Sequence, residues 1–167
     1  KRDAAPHAAA DDDTKITALD LKQAKLSPQI KAYFDKCSEK LGFVPNVLRA
    51  YSFDILKLQT FLDLYNDLML APSGLSKLER EMIAVAVSTI NHCYYCLTSH
   101  GADLRQRGKD PELGELIAQN YRAAELDRRQ KAMLDFATRL TEAPDKIEEP
   151  DREALRRAMT IMAMPQN

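Results

Sequence analysis

The sequence has no tryptophan and only 5 glycines among 167 residues. Scarce glycine argues against a sheet joined by many tight turns, since glycine is the usual residue wherever the backbone takes a positive φ. Ala, Leu, Glu, Lys and Arg fill the chain instead, and these lose little on entering a helix. An excess of one charge is also lacking: 24 Lys and Arg stand against 25 Asp and Glu, a net charge of −1. That balance offers no broad attraction to nucleic acid or to a membrane surface. No apolar stretch approaches the roughly 18–20 residues that span a bilayer. Lys1 to Ala10 has no signal-peptide hydrophobic core, so the expected compartment is the cytoplasm; a leader already removed upstream would leave no trace.

Cysteine is scarce too. There are 3, an odd number, which excludes a secreted scaffold stapled by disulfides alone. Two of them, Cys93 and Cys96, form a C-x-x-C. In a reducing compartment that spacing points to redox chemistry or to metal binding.

A chain of 167 residues, 45% of them hydrophobic, fits one domain with a real core. Residues 1–15 are Ala-rich and then carry Asp11-Asp12-Asp13, too few large apolar groups to offset ordering entropy, so a disordered tail is expected there. Residues 16–167 are expected to form a single all-α domain, a compact multi-helix unit.

Pro28 suits a first turn, and Ile30, Phe34, Cys37 and Leu41 repeat at helical spacing up to Gly42. A turn at Phe43-Val44-Pro45-Asn46 leads to a short helix ending near Tyr51. From Phe53 to Leu70, Leu58, Phe61, Leu62, Tyr65, Leu68 and Met69 make one apolar stripe, read as core or subunit interface. Ser76-Lys77-Leu78-Glu79 is a capping box, and the apolar run Met82 to Val87 behind it reads as a helix buried on most sides. Asn91-His92 interrupts that helix. The cysteine motif opens the next, to about Gln106, with Gly108 as its stop. Pro111 to Asn120 forms another. Asp127-Arg128-Arg129-Gln130 caps one that runs to about Glu142, and a last helix covers Asp151 to about Ala163.

On a helix, residues three and four apart share a face. Cys93 and Cys96 are three apart; Cys96 and His100 are four apart. Two sulfurs and an imidazole therefore lie along one stripe, with Cys93 in the first turn. Unpaired N–H groups and the positive end of the helix dipole stabilise a thiolate there. A histidine one turn from Cys96 can take that thiol's proton. The two arguments favour different cysteines as the nucleophile. The chemistry they permit is attack of a thiolate on a peroxide oxygen, formation of a sulfenic acid, and its condensation with the second thiol to a disulfide. An external dithiol then restores the pair by exchange. Glu81, near the start of the preceding buried helix, is placed to hold or relay a proton if chain reversal brings it against the pair.

The full pattern, E-x11-C-x2-C-x3-H from Glu81 to His100, is far more specific than a bare C-x-x-C. With Gly42-Phe43-Val44-Pro45-Asn46-Val47-Leu48-Arg49-Ala50, Ser73-Gly74-Leu75-Ser76, Asn120-Tyr121-Arg122-Ala123-Ala124-Glu125-Leu126 and Thr141-Glu142-Ala143-Pro144, it resembles the alkylhydroperoxidase D-like branch of the carboxymuconolactone decarboxylase superfamily, and within it the peroxidase-related enzymes. The resemblance covers roughly residues 16–158. It implies an all-α alkylhydroperoxidase D-like fold that oligomerises through helical faces as a homo-oligomer. It implies a hydroperoxide substrate, an external dithiol donor of lipoyl or thioredoxin type, and no metal, haem or flavin. By match, Cys96 attacks, Cys93 resolves, and Glu81 with His100 relays the proton. Well-characterised members of that branch carry a histidine between the cysteines, where this sequence has Tyr95; they also continue into an apolar, aromatic-rich helix where it has Met159 to Asn167. Family members without the cysteine pair are decarboxylases, a chemistry the intact pair argues against.

Two other readings stand beside the peroxidase. One is a disulfide reductase that passes electrons to a peroxiredoxin. The other is a non-enzymatic helical protein, redox-sensing or holding zinc through His92, Cys93, Cys96 and His100. Cys37, on an apolar helix face, reads as packing; Tyr94 and Tyr95 read as packing or interface residues.

Overall fold

The computed structural model describes residues 21–160. The expected tail at 1–15 and the segment beyond Thr160 lie outside those residues. Among the described residues there are eight α-helices, two short 3-10 turns and no strand. Backbone contacts gather the chain into two compact units that divide between Ala71 and Pro72.

The first unit holds α1 (Pro28–Leu41), α2 (Asn46–Tyr51) and α3 (Ile55–Leu70). Each start has a visible cause. Ser27 caps α1, its Oγ accepting from the Ile30 N–H at 3.3 Å, and Pro28 fills the first turn. Gly42, at φ +82°, closes α1 by donating its N–H to Ser38 O. Asp54 caps α3 by accepting from the Leu56 and Lys57 N–H groups. The core of this unit is Ile30, Phe34, Leu48, Leu58 and Leu62. The stripe expected on α3 is thus only partly core: Leu58 and Leu62 are buried, whereas Leu68 is 60% exposed.

The second unit carries α4 (Lys77–Ile90), α5 (Tyr94–Gly108), α6 (Pro111–Asn120), α7 (Arg128–Glu142) and α8 (Glu149–Thr160). The capping box of α4 is present in both directions: the Glu79 N–H donates to Ser76 Oγ at 3.1 Å, and the Ser76 N–H donates to Glu79 Oε2 at 2.7 Å. Asp127 and Gln130 make a second box on α7. Met82 to Val87 is helical, as the cap implied. Met82, Val85 and Ala86 meet Leu104 of α5, Ile117 of α6, Tyr121, and Met133 and Leu134 of α7 in one core. Each of the fully buried Met82, Val85, Leu104, Ile117 and Leu134 side chains contributes about 1.5–3 kcal/mol. Because α4 touches α5, α6 and α7, it is surrounded, and even Glu79, Arg80 and Glu81 are buried.

The stop of α5 and the start of α8 differ from the sequence reading. Helix α5 runs through Gly108 and stops at Lys109, which takes a left-handed conformation at φ 52° and donates its N–H to Arg105 O. Helix α8 starts at Glu149 rather than Asp151. One glycine sets a distance: a Cβ on Gly114 of α6 would lie 2.6 Å from Arg105 Cγ of α5, so these helices approach through its bare backbone.

Candidate active site

Helix α4 ends in a tight reversal. The His92 N–H donates to Thr89 O and the Cys93 N–H to Ser88 O, both at 3.1 Å. His92 takes φ 52° here, a left-handed position more usual for glycine. Three residues, Asn91 to Cys93, therefore turn the chain, and α5 packs back along α4 as a helical hairpin.

Cys93 is the N-cap of α5 rather than a residue of its first turn. Its backbone is extended (φ −85°, ψ 93°), and its Sγ accepts the N–H of Cys96 at 3.2 Å. The sulfur occupies the place a serine or aspartate oxygen takes in an ordinary cap. Cys93 and Cys96 are joined as a disulfide across a Cα separation of 5.3 Å. Both residues are half-buried.

The hairpin also brings Glu81 to His100. His100 Nδ1 lies 2.8 Å from Glu81 Oε2. The chain reversal thus delivers Glu81 to the histidine, and the histidine lies one turn beyond Cys96 on α5. The Glu81 side chain is only 4% exposed and that of His100 22%, so a buried carboxylate holds an imidazole that still reaches the surface. With Glu81 as a carboxylate and the imidazole neutral, Nδ1 carries the hydrogen and Nε2 is left as an acceptor. A side chain arranged this way can take a thiol proton and return it to a departing oxygen.

Tyr94 is 82% exposed and Tyr95 41%, so the residues between the cysteines form the outer surface of the site in this chain. His92 is exposed at the turn. Among the described residues, no group of three or more His, Cys, Asp or Glu side chains is arranged to hold a metal ion. Cys37 lies in the first unit as a free, half-buried thiol; burial pushes its pKa up, against the pull of Lys36. That is the environment of an inert packing cysteine.

A second buried carboxylate was not singled out from the sequence. Glu79 Oε1 accepts from Arg129 Nε at 2.7 Å, and Arg129 Nη2 donates to Gly74 O at 2.6 Å. Burial alone would push Glu79 up, but its bonds from Arg129 and Ser76 outweigh that and hold its carboxyl below the usual range. Its capping-box position marked Glu79 in the sequence; nothing local marked Arg129 as its partner. The cap formed by the Cys93 sulfur was legible only as a residue at a helix start.

The chain is similar to known proteins. The family model for the carboxymuconolactone decarboxylase family matches residues 57–139. No curated protein matches the chain. The structure of an uncharacterized peroxidase-related protein from Silicibacter sp. TM1040 is similar, with 58% identity and a TM-score of 0.81 over 86% of this chain and 76% of that one. An uncharacterized peroxidase-related protein from Ralstonia eutropha JMP134, described as an alkylhydroperoxidase AhpD core, matches with 41% identity and a TM-score of 0.73, over 79% of this chain and 70% of that one. With identity this high over most of its length, the chain belongs to the carboxymuconolactone decarboxylase family, in its AhpD-like, peroxidase-related part.

Proposed function

We propose that the chain is a thiol-dependent peroxidase that reduces hydroperoxides by cycling Cys93 and Cys96 between dithiol and disulfide. The observation that carries this reading is the Glu81–His100 contact, 2.8 Å long, on the same hairpin as the cysteine pair. A structural disulfide has no need of a proton relay beside it.

The Cys96 thiol gives its proton toward His100. The thiolate then attacks the terminal peroxide oxygen and the O–O bond breaks. The departing alkoxide takes the proton back and leaves as alcohol, and Cys96 becomes a sulfenic acid. Cys93 attacks the Cys96 sulfur, hydroxide leaves as water with a proton, and the disulfide forms. A dithiol donor returns two electrons by exchange. Glu81 holds the imidazole in the tautomer that can accept, the orienting role a carboxylate plays toward a catalytic histidine.

The test is peroxide consumption with dithiothreitol, dihydrolipoamide or thioredoxin as donor. Cys96→Ser is expected to abolish turnover. Cys93→Ser is expected to form a sulfenic acid, trapped by dimedone, without closing a disulfide. Turnover of Cys96→Ser at the unsubstituted rate sinks the assignment.

A further inference from the structure

The two sulfurs of the pair are held unequally, and from that inequality we infer which of them the reductant touches: the donor thiolate attacks Cys96 Sγ, and Cys93 is the leaving group. The inference rests on the proposed function only in treating the disulfide as the oxidised form of a working centre.

Cys93 Sγ sits at the cap of α5 and accepts the Cys96 N–H at 3.2 Å. The N-terminal end of the 15-residue α5 adds the positive end of its dipole. Charge that develops on Cys93 Sγ as the S–S bond breaks therefore meets a donor already in place. Cys96 is inside the helix and its own N–H is spent on Cys93. Among the described residues nothing donates to Cys96 Sγ. In thiol–disulfide exchange the better-stabilised thiolate leaves faster. Attack on Cys96 expels the capped sulfur. Attack on Cys93 would expel the uncapped one and place the donor at the cap.

The electron count closes. The donor's first thiolate forms a bond to Cys96 Sγ, the S–S bond breaks, and its electron pair leaves on Cys93 Sγ. The donor's second thiolate then attacks the donor sulfur of the mixed disulfide. The donor departs as its own disulfide, and Cys96 leaves as a thiolate that takes a proton, with His100 one turn away. The donor has lost two electrons and the pair has gained them. Cys96 thus meets both the peroxide and the donor, while Cys93 only closes and opens the bond.

The experiment starts from protein oxidised with diamide and exposes it to excess 2-mercaptoethanol. The mixture is quenched with N-ethylmaleimide, and peptide mass mapping locates adduct and label. The mercaptoethanol adduct is expected on Cys96 and the maleimide on Cys93, with at least about a 10-fold excess over the reverse arrangement. Reclosure and renewed attack push the partition the same way, because equilibrium also favours the capped sulfur as the free thiolate. An adduct mainly on Cys93, or equally on both, overturns the inference. Where reclosure is too fast to trap, ultraviolet thiolate absorbance is titrated in Cys96→Ser and Cys93→Ser. Serine at 96 keeps the backbone N–H, so Cys93 is expected to ionise at lower pH than Cys96, and the reverse order overturns the inference. Neither measurement uses peroxide, so a failed peroxide assay sinks the proposed function alone.

Discussion

Helix α4 buries two glutamates two residues apart, and they meet partners of different chemistry. Glu79 and Glu81 are 8% and 3% exposed. Positions two apart on a helix do not face the same neighbour. Glu79 turns to α7 and meets Arg129, a cation at every accessible pH. Glu81 turns to α5 and meets the imidazole of His100. Both oxygens of Glu79 are engaged, one by Arg129 and one by the Ser76 N–H. The Glu81 pairing ends instead on an imidazole with a second nitrogen and a path to solvent. Glu79 fastens α4 to α7, whereas in the proposed function Glu81 orients the histidine that takes the thiol proton.

The comparison breaks most sharply at Arg129. Arg129→Met leaves Glu79 buried without its cation and frees Gly74 O, and it is expected to cost about 3–5 kcal/mol in urea unfolding. The pH dependence follows from the same pair. The Glu79 carboxyl is held below its usual range, so the pair's stabilisation is full above the unfolded value and is lost as pH falls through the folded one. Urea midpoints measured at descending pH should fall for the unsubstituted chain, and Glu79→Gln should flatten that part of the slope.

Glu81→Gln tests the other half. Peroxide consumption is expected to drop about 10²-fold, the scale of a lost proton-relay contribution. The melting temperature should move much less than in Arg129→Met. A variant that melts as early as Arg129→Met would make Glu81 another fastener and remove the contrast. The smallest effect is expected at Ser76→Ala, which removes one capping oxygen from α4 and should cost about 1 kcal/mol with little change in peroxide rate.

The helices were largely legible because their starts are written in local chemistry. Ser76 with Glu79 and Asp127 with Gln130 each cap within four residues, and Pro28 and Pro111 mark first turns. Their stops were less so: Lys109 takes a left-handed conformation beside an available glycine, Gly108, which no local rule prefers. At the site, spacing put Cys93, Cys96 and His100 on one stripe and Glu81 on the helix before. It did not give the contact, because which face of α4 meets α5 depends on the turn at His92. Arg129 was invisible for a related reason. It lies fifty positions from Glu79, inside a capping sequence that already explained its neighbours.

That difference in separation has a consequence for how the molecule assembles. Glu81 and His100 are 19 positions apart, whereas Glu79 and Arg129 are 50 apart. Closing the longer loop costs roughly 0.9 kcal/mol more in chain entropy. All four residues of the candidate centre belong to a single local hairpin, whose contacts carry the smaller loop-closure cost. The candidate centre therefore requires little of the long-range topology to come into register, while the fastening of the fold around it depends on the distant arginine.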